Sequence, residues 1–92
     1  MEGMLPQELE EMLSEELSYL ILKPDSPDFS VGLHSYLKRR GIAIREERVF
    51  CDEEGKTWLL LSFDRHSTSA LAMELLEEGF SGVFAGIDAK AP

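Results

Sequence analysis

The side chains able to do chemistry are few and scattered. His34, Cys51, Asp64 and His66 are the candidates for metal ligands or for a nucleophile and its base. Metal sites built from such residues use close repeats, Cys-x-x-Cys or His-x-x-x-His, because two ligands then reach one ion from one turn or one helix face. No such repeat occurs. Asp64-Arg65-His66 puts a carboxylate near an imidazole, but an aspartate at a strand end is ordinary turn chemistry. His34 is expected on a solvated helix face, His66 in a loop, and Cys51 as a half-buried filler beside a hairpin. Asp52-Glu53-Glu54 reads as a solvated hairpin tip. Lys38-Arg39-Arg40 answers the negative end of a helix. Gly79-Phe80-Ser81-Gly82 is a turn before a strand, without the pattern of a phosphate loop. The expectation is a protein that is not an enzyme, with no catalytic residue, no metal and no cofactor.

Charge and size narrow the partners. The 92 residues suit one domain. With 9 basic against 18 acidic residues, a net charge of -9, the field repels phosphate backbones and anionic lipid, so no nucleic acid and no membrane partner is expected. No apolar run approaches the ~20 residues of a membrane span. The lone Cys51 rules out an intrachain disulfide and fits a reducing, cytoplasmic setting. Glu2, Glu8, Glu10 and Glu11 stand where a secretion signal would be basic and then apolar.

The positioning elements follow from periodicity. Residues 5–16 read as an N-terminal helix, with Leu5, Leu9, Met12 and Leu13 on one stripe. Residues 17–92 read as the domain proper. Residues 17–23 form a strand apolar on both faces, hence central. Ser26 as N-cap and Pro27 as first residue open a helix with Phe29, Leu33, Tyr36 and Leu37 inward, stopped at Gly41. Residues 42–51 form a second strand, whose broken alternation suggests a bulge near residues 45–47. A turn at 52–55 leads to a third strand, 56–63. Ser67 caps a helix over 68–78 with Leu71, Ala72, Leu75 and Leu76 inward, and Gly79 stops it. Residues 83–89 form the last strand, with Val83, Ala85 and Ile87 on one face and Phe84 and Gly86 on the other. The tail is expected to be loose.

This order makes an α+β, ferredoxin-like βαββαβ sandwich. Right-handed crossovers give a four-stranded antiparallel sheet, order 4-1-3-2, with two helices on one face and a short N-terminal helix besides. The other face then carries Tyr19, Ile21, Trp58, Leu60 and Phe84, an apolar patch larger than monomers usually expose. The N-terminal helix, a second copy or a partner must cover it.

From residue 18 to about 89 the chain resembles an ACT-like regulatory domain. The resemblance rests on the strand Leu20–Leu22, the turn Lys23-Pro24-Asp25, and Leu37-Lys38-Arg39-Arg40-Gly41-Ile42 closing the helix. It implies a small effector such as an amino acid, held at a homodimer interface beside the first strand-helix turn, where Asp25, Ser26 and Asp28 lie. That turn reads Pro-Asp-Ser-Pro-Asp where the family has Pro-Gly, and two aspartates repel a carboxylate. Lys56 to Phe63 is similar to the third strand of an RNA-recognition motif, with Trp58 and Tyr19 at stacking places, although Thr57 replaces its glycine and Leu60 its second aromatic. Tyr19 to Asp25 resembles the first strand of a nucleoside diphosphate kinase, but that family's catalytic histidine segment has no counterpart. The function expected is a regulatory or ligand-sensing module that self-associates. The alternative is an adaptor that binds a protein partner through Tyr19, Ile21, Trp58, Leu60 and Phe84.

Overall fold

Apolar residues run without a break through residues 19–22 and 58–61, and only a strand covered on both faces can bury such a run. In the computed structural model, which describes residues 7–64 and 67–90, these runs are the two central strands. The elements are α1 (Gln7–Met12), β1 (Leu17–Leu22), α2 (Phe29–Arg39), β2 (Glu46–Cys51), β3 (Thr57–Asp64), α3 (Thr68–Glu77) and β4 (Val83–Ile87). The sheet order is β2-β3-β1-β4, all pairs antiparallel. Read from the β4 edge, this is 4-1-3-2.

One face lies under α2 and α3. Phe29, Leu33, Tyr36 and Leu37 of α2 meet Leu71, Ala72 and Leu75 of α3 over Leu20, Leu22, Leu59, Leu61 and Phe63. Phe80, just past α3, packs edge-on against Phe29 and Tyr36. Leu76, expected inside, is 49% exposed. The stripe centres on Thr68 and Leu75, and Leu76 falls roughly 80° from that centre at about 100° per residue. Arg40 and Tyr36 both reach Glu74, which joins α2 to α3. Gly41 ends α2 at φ 73°, a conformation that costs glycine little.

Four boundaries depart from the sequence reading. First, α1 stops at Met12, and residues 13–16 form a turn rather than two more helical residues and a frayed end; Leu5 and Pro6 lie outside the described residues. Second, α2 begins at Phe29 with Asp28 as its N-cap. Ser26 gives only its carbonyl, to the Phe29 N–H at 3.2 Å, so Pro27 lies in a turn before the helix. Third, β2 begins at Glu46 and pairs with β3 in unbroken register, with no bulge. The mixed parity arises because Ile42 and Ile44 precede the strand and fold against the helix-side core. Fourth, the irregularity lies in the β1–β4 pair. Ile21 pairs with Ala85 but Leu22 with Val83, so Phe84 is the extra residue. Gly86 therefore faces α3, and Ala85 and Ile87 face the opposite side with Tyr19 and Ile21.

Gly86 permits the closest approach in the fold. A Cβ there would stand 2.1 Å from the Thr68 carbonyl oxygen, so α3 lies on β4 backbone to backbone. The α3 N-terminus is held from the same strand end. The side chain of Ser67, at the N-cap position, makes no cap bond. Instead Asp88 accepts the Ser69 N–H at 2.9 Å, the Ser69 hydroxyl at 2.6 Å and the Thr68 hydroxyl at 3.1 Å. These bonds, the Ser69 hydroxyl first, hold the Asp88 carboxyl below its usual range.

No helix among the described residues is long and apolar enough to cross a membrane.

Candidate functional site

The second sheet face is not open. Leu9 of α1 is fully buried against Tyr19, Ile21, Trp58 and Leu60, with Met12, Leu13, Leu17, Phe50 and Ile87 half-buried around them. The chain that leads from α1 into β1 is fastened on both sides. The Tyr19 hydroxyl accepts the Ser14 N–H at 2.8 Å, and the Glu15 carbonyl accepts the Lys90 N–H at 2.8 Å. The Ser18 hydroxyl accepts the Ala89 N–H at 2.9 Å, so Lys90 is bonded where a loose tail was expected, and Ala89, expected in the last strand, lies beyond its end at Ile87. Of the five expected contact residues, Tyr19, Ile21, Trp58 and Leu60 are at most 5% exposed and cannot meet a partner as they stand; Phe84 is 40% exposed.

What remains accessible is one end of this face, built around Trp58. The hairpin register places Phe50 opposite Trp58, and their rings lie parallel within 8° at 6.5 Å. The bulge in β4 turns Phe84 edge-on to the same indole at 5.0 Å. Lys23 Nζ lies 5.1 Å from the ring centre, a cation–π contact worth about 0.5–2 kcal/mol. The indole N–H donates to Asp52 at 2.9 Å. Asp52 also accepts the Glu54 and Lys56 N–H groups, each at 2.9 Å. The indole bond, then the Lys56 and Glu54 N–H bonds and the Lys23 charge, lower its pKa. The carboxylate thus serves the turn and the indole rather than a cation.

The first strand-helix turn meets this end. The Lys23 N–H donates to the Gly82 carbonyl at 2.7 Å, and the Ser81 hydroxyl donates to Asp25 at 2.8 Å. Asp25, Ser26 and Asp28 are exposed. The turn with its acids, the Lys23 ammonium and the half-open Phe84 are thereby neighbours through residues 81–84. No enclosed metabolite-sized cavity accompanies them among the described residues. The cavity lined by Met12, Tyr19, Glu46, Arg48, Leu60 and Ser62 measures ≈ 30 Å³, room for about one water. Ligand sites usually span about 300–1,000 Å³.

The other chemical candidates are dispersed. Asp64 is paired with Arg45 at 2.6 Å, and Cys51 is a free, exposed thiol on the edge strand. His66 lies outside the described residues. No group of three or more His, Cys, Asp or Glu among the described residues could hold a metal. His34 is not merely solvated, since it bonds Ser30 and Glu47. Neither a family model nor a curated protein matches the chain.

Sequence reasoning overlooked Phe50, Asp52 and Asp88. Phe50 and Asp52 had a partial signal. Counting outward from the turn expected at 52–55 brings Phe50 opposite Thr57, one residue short of its partner Trp58, because the hairpin closes on Asp52 and Lys56. Asp88 had none, because its bonds to α3 depend on how that helix lies on β4.

Proposed function

We propose that the chain is a non-catalytic, ACT-like regulatory module on a ferredoxin-like sandwich, which self-associates through the sheet end that carries Phe84. The observation that carries this reading is that the first strand-helix turn is bonded to Ser81 and Gly82, just before the exposed aromatic Phe84 at the same end of the sheet. A second copy docked there would enclose a small ligand between two such turns. The acids favour the cationic group of a ligand such as an amino acid, and the Lys23 ammonium suits its carboxylate.

Light scattering at micromolar concentration tests the association. Wild-type protein is expected to run as a dimer and Phe84→Glu as a monomer. A wild-type monomer sinks this half of the proposal. Thermal melts across a panel of amino acids and small metabolites test the sensing half. A ligand at 100 times its dissociation constant adds about 2.7 kcal/mol, and a flat panel removes the sensing role while leaving the dimer.

Phe84 also favours a second reading, a protein-binding adaptor. Apolar aromatics that are half open and backed by a rigid indole are typical contact anchors. A dimer unaffected by Phe84→Glu would place the self-association elsewhere and leave Phe84 to this reading.

A further inference from the structure

His34 holds both ring nitrogens against acceptors. Nδ1 lies 2.6 Å from the Ser30 carbonyl oxygen on α2, and Nε2 lies 2.8 Å from Oε1 of Glu47 on β2. A carbonyl and an ionised carboxylate accept and never donate. A neutral imidazole has one N–H, so it would satisfy one neighbour and set a lone pair against the other. The imidazolium satisfies both.

The charges around the ring agree with that state. Glu47 faces it from β2, and the residue across from Glu47 on β3 is the apolar Leu61. The other charged groups on and beside this strand are engaged elsewhere: Arg48 and Glu46 pair at 3.3 Å on the opposite face beside Tyr19 and Leu60, and Arg45 pairs with Asp64 at 2.6 Å. Lys38, one turn along α2, is exposed. The Ser30 carbonyl first, and then Glu47, raise the imidazole pKa against the opposing effect of burial.

The strand this pair holds is lightly anchored. β2 is an edge strand that pairs with β3 alone, and every residue of it except Phe50 is exposed. Among the described residues its hold on the domain includes the ladder to β3, the Ser62 hydroxyl donating to the Glu46 carbonyl at 3.4 Å, the Phe50–Trp58 stack and the bond from His34. Segments with so few buried contacts open locally at low cost.

We propose that His34 and Glu47 form a proton-operated clasp that fastens the edge strand β2 to α2 when the imidazole is protonated and releases it when the imidazole is neutral. The clasp is independent of the self-association reading. Its sign is fixed by linkage. A folded-state pKa above the unfolded imidazole value of about 6.5 means that the clasp acts in full below that pH. Its contribution is lost as pH rises through the higher folded value. Release would let β2 part from β3 and bare the β3 edge, whose freed N–H and C=O groups can pair with another strand.

An NMR titration of the full chain tests this, with His34 assigned by comparison with His34→Gln. The expected result is a His34 midpoint above about 6.5, lowered in Glu47→Gln, which keeps an acceptor but loses the charge. Amide protection at Arg48 and Phe50, whose N–H groups face β3 in step with that of Asp52, should fall several-fold more than at Leu20 and Leu61 between about pH 6 and about pH 8, and this excess should vanish in His34→Gln. A midpoint at or below about 6.5, or the same excess loss in His34→Gln, overturns the clasp.

Discussion

One face of the sheet lies under α2 and α3, which bury Phe29, Leu33, Tyr36, Leu37, Leu71, Ala72 and Leu75 against it; the opposite face lies under α1, where among the described side chains Leu9 is fully buried. The difference lies in what makes each cover stable. The 11-residue α2 and 10-residue α3 bring long apolar stripes, and α3 adds a backbone contact over Gly86. A helix of 6 residues cannot hold itself together in water. It persists because Leu9 enters the space between Tyr19, Ile21, Trp58 and Leu60, and because Ser14 and Glu15 are bonded to Tyr19 and Lys90. Full burial of one leucine is worth about 1.5–3 kcal/mol. The second face is therefore covered by an element that can detach without unfolding the first.

The largest effect should come from Gly86→Ala. The new methyl would meet the Thr68 carbonyl and push α3 off β4, a loss of about 3 kcal/mol or more. In a domain of this size that lowers Tm by at least about 12 °C. A near-neutral variant would show that the helix face is not built on backbone contact.

Next, Leu9→Ala should cost about 2 kcal/mol and raise the accessibility of Trp58 while leaving the α2–α3 side intact. Urea melts followed by Trp58 emission and by far-UV circular dichroism would then separate. Coincident curves would mean that the two faces open as one.

Asp88→Asn should cost about 1 kcal/mol, the usual value of a lost helix cap. It also sets a pH signature on the helix face. Because its bonds in the fold depress the Asp88 pKa, their contribution is complete above the unfolded value of about 3.9 and fades as acid passes the lower folded value. An acid melt of wild type and Asp88→Asn should therefore converge at low pH. Phe84→Ser should cost a comparable amount, about 1 kcal/mol, from the lost edge-on contact with Trp58, and its larger consequence should be on association.

The comparison also shows how far residues alone could lead. The central strands, the α2 stripe and the three glycine turns were legible because each rests on local pattern: alternation, helical spacing, or a positive φ at Gly41, Gly55 and Gly79. The bulge was misplaced because Ile42 and Ile44 look like strand residues, yet they are drawn out of the ladder to pack beside α2. Nothing in Val83 to Ile87 marks Phe84 as the extra residue, since that depends on Gly86 being claimed by α3. The aromatic patch was legible in composition, whereas its cover was one of three options. The choice turned on a single leucine reaching across the chain.

The central claim is that the chain covers its own Trp58 face, and quenching of Trp58 fluorescence by acrylamide across a dilution series tests it most directly. Wild-type Trp58 should stay shielded to the same degree at every concentration, including those at which light scattering finds only monomer, and Leu9→Ala should unmask it at all of them. Shielding that fades on dilution, or that survives Leu9→Ala, would contradict the claim and transfer the cover to a second copy or another segment.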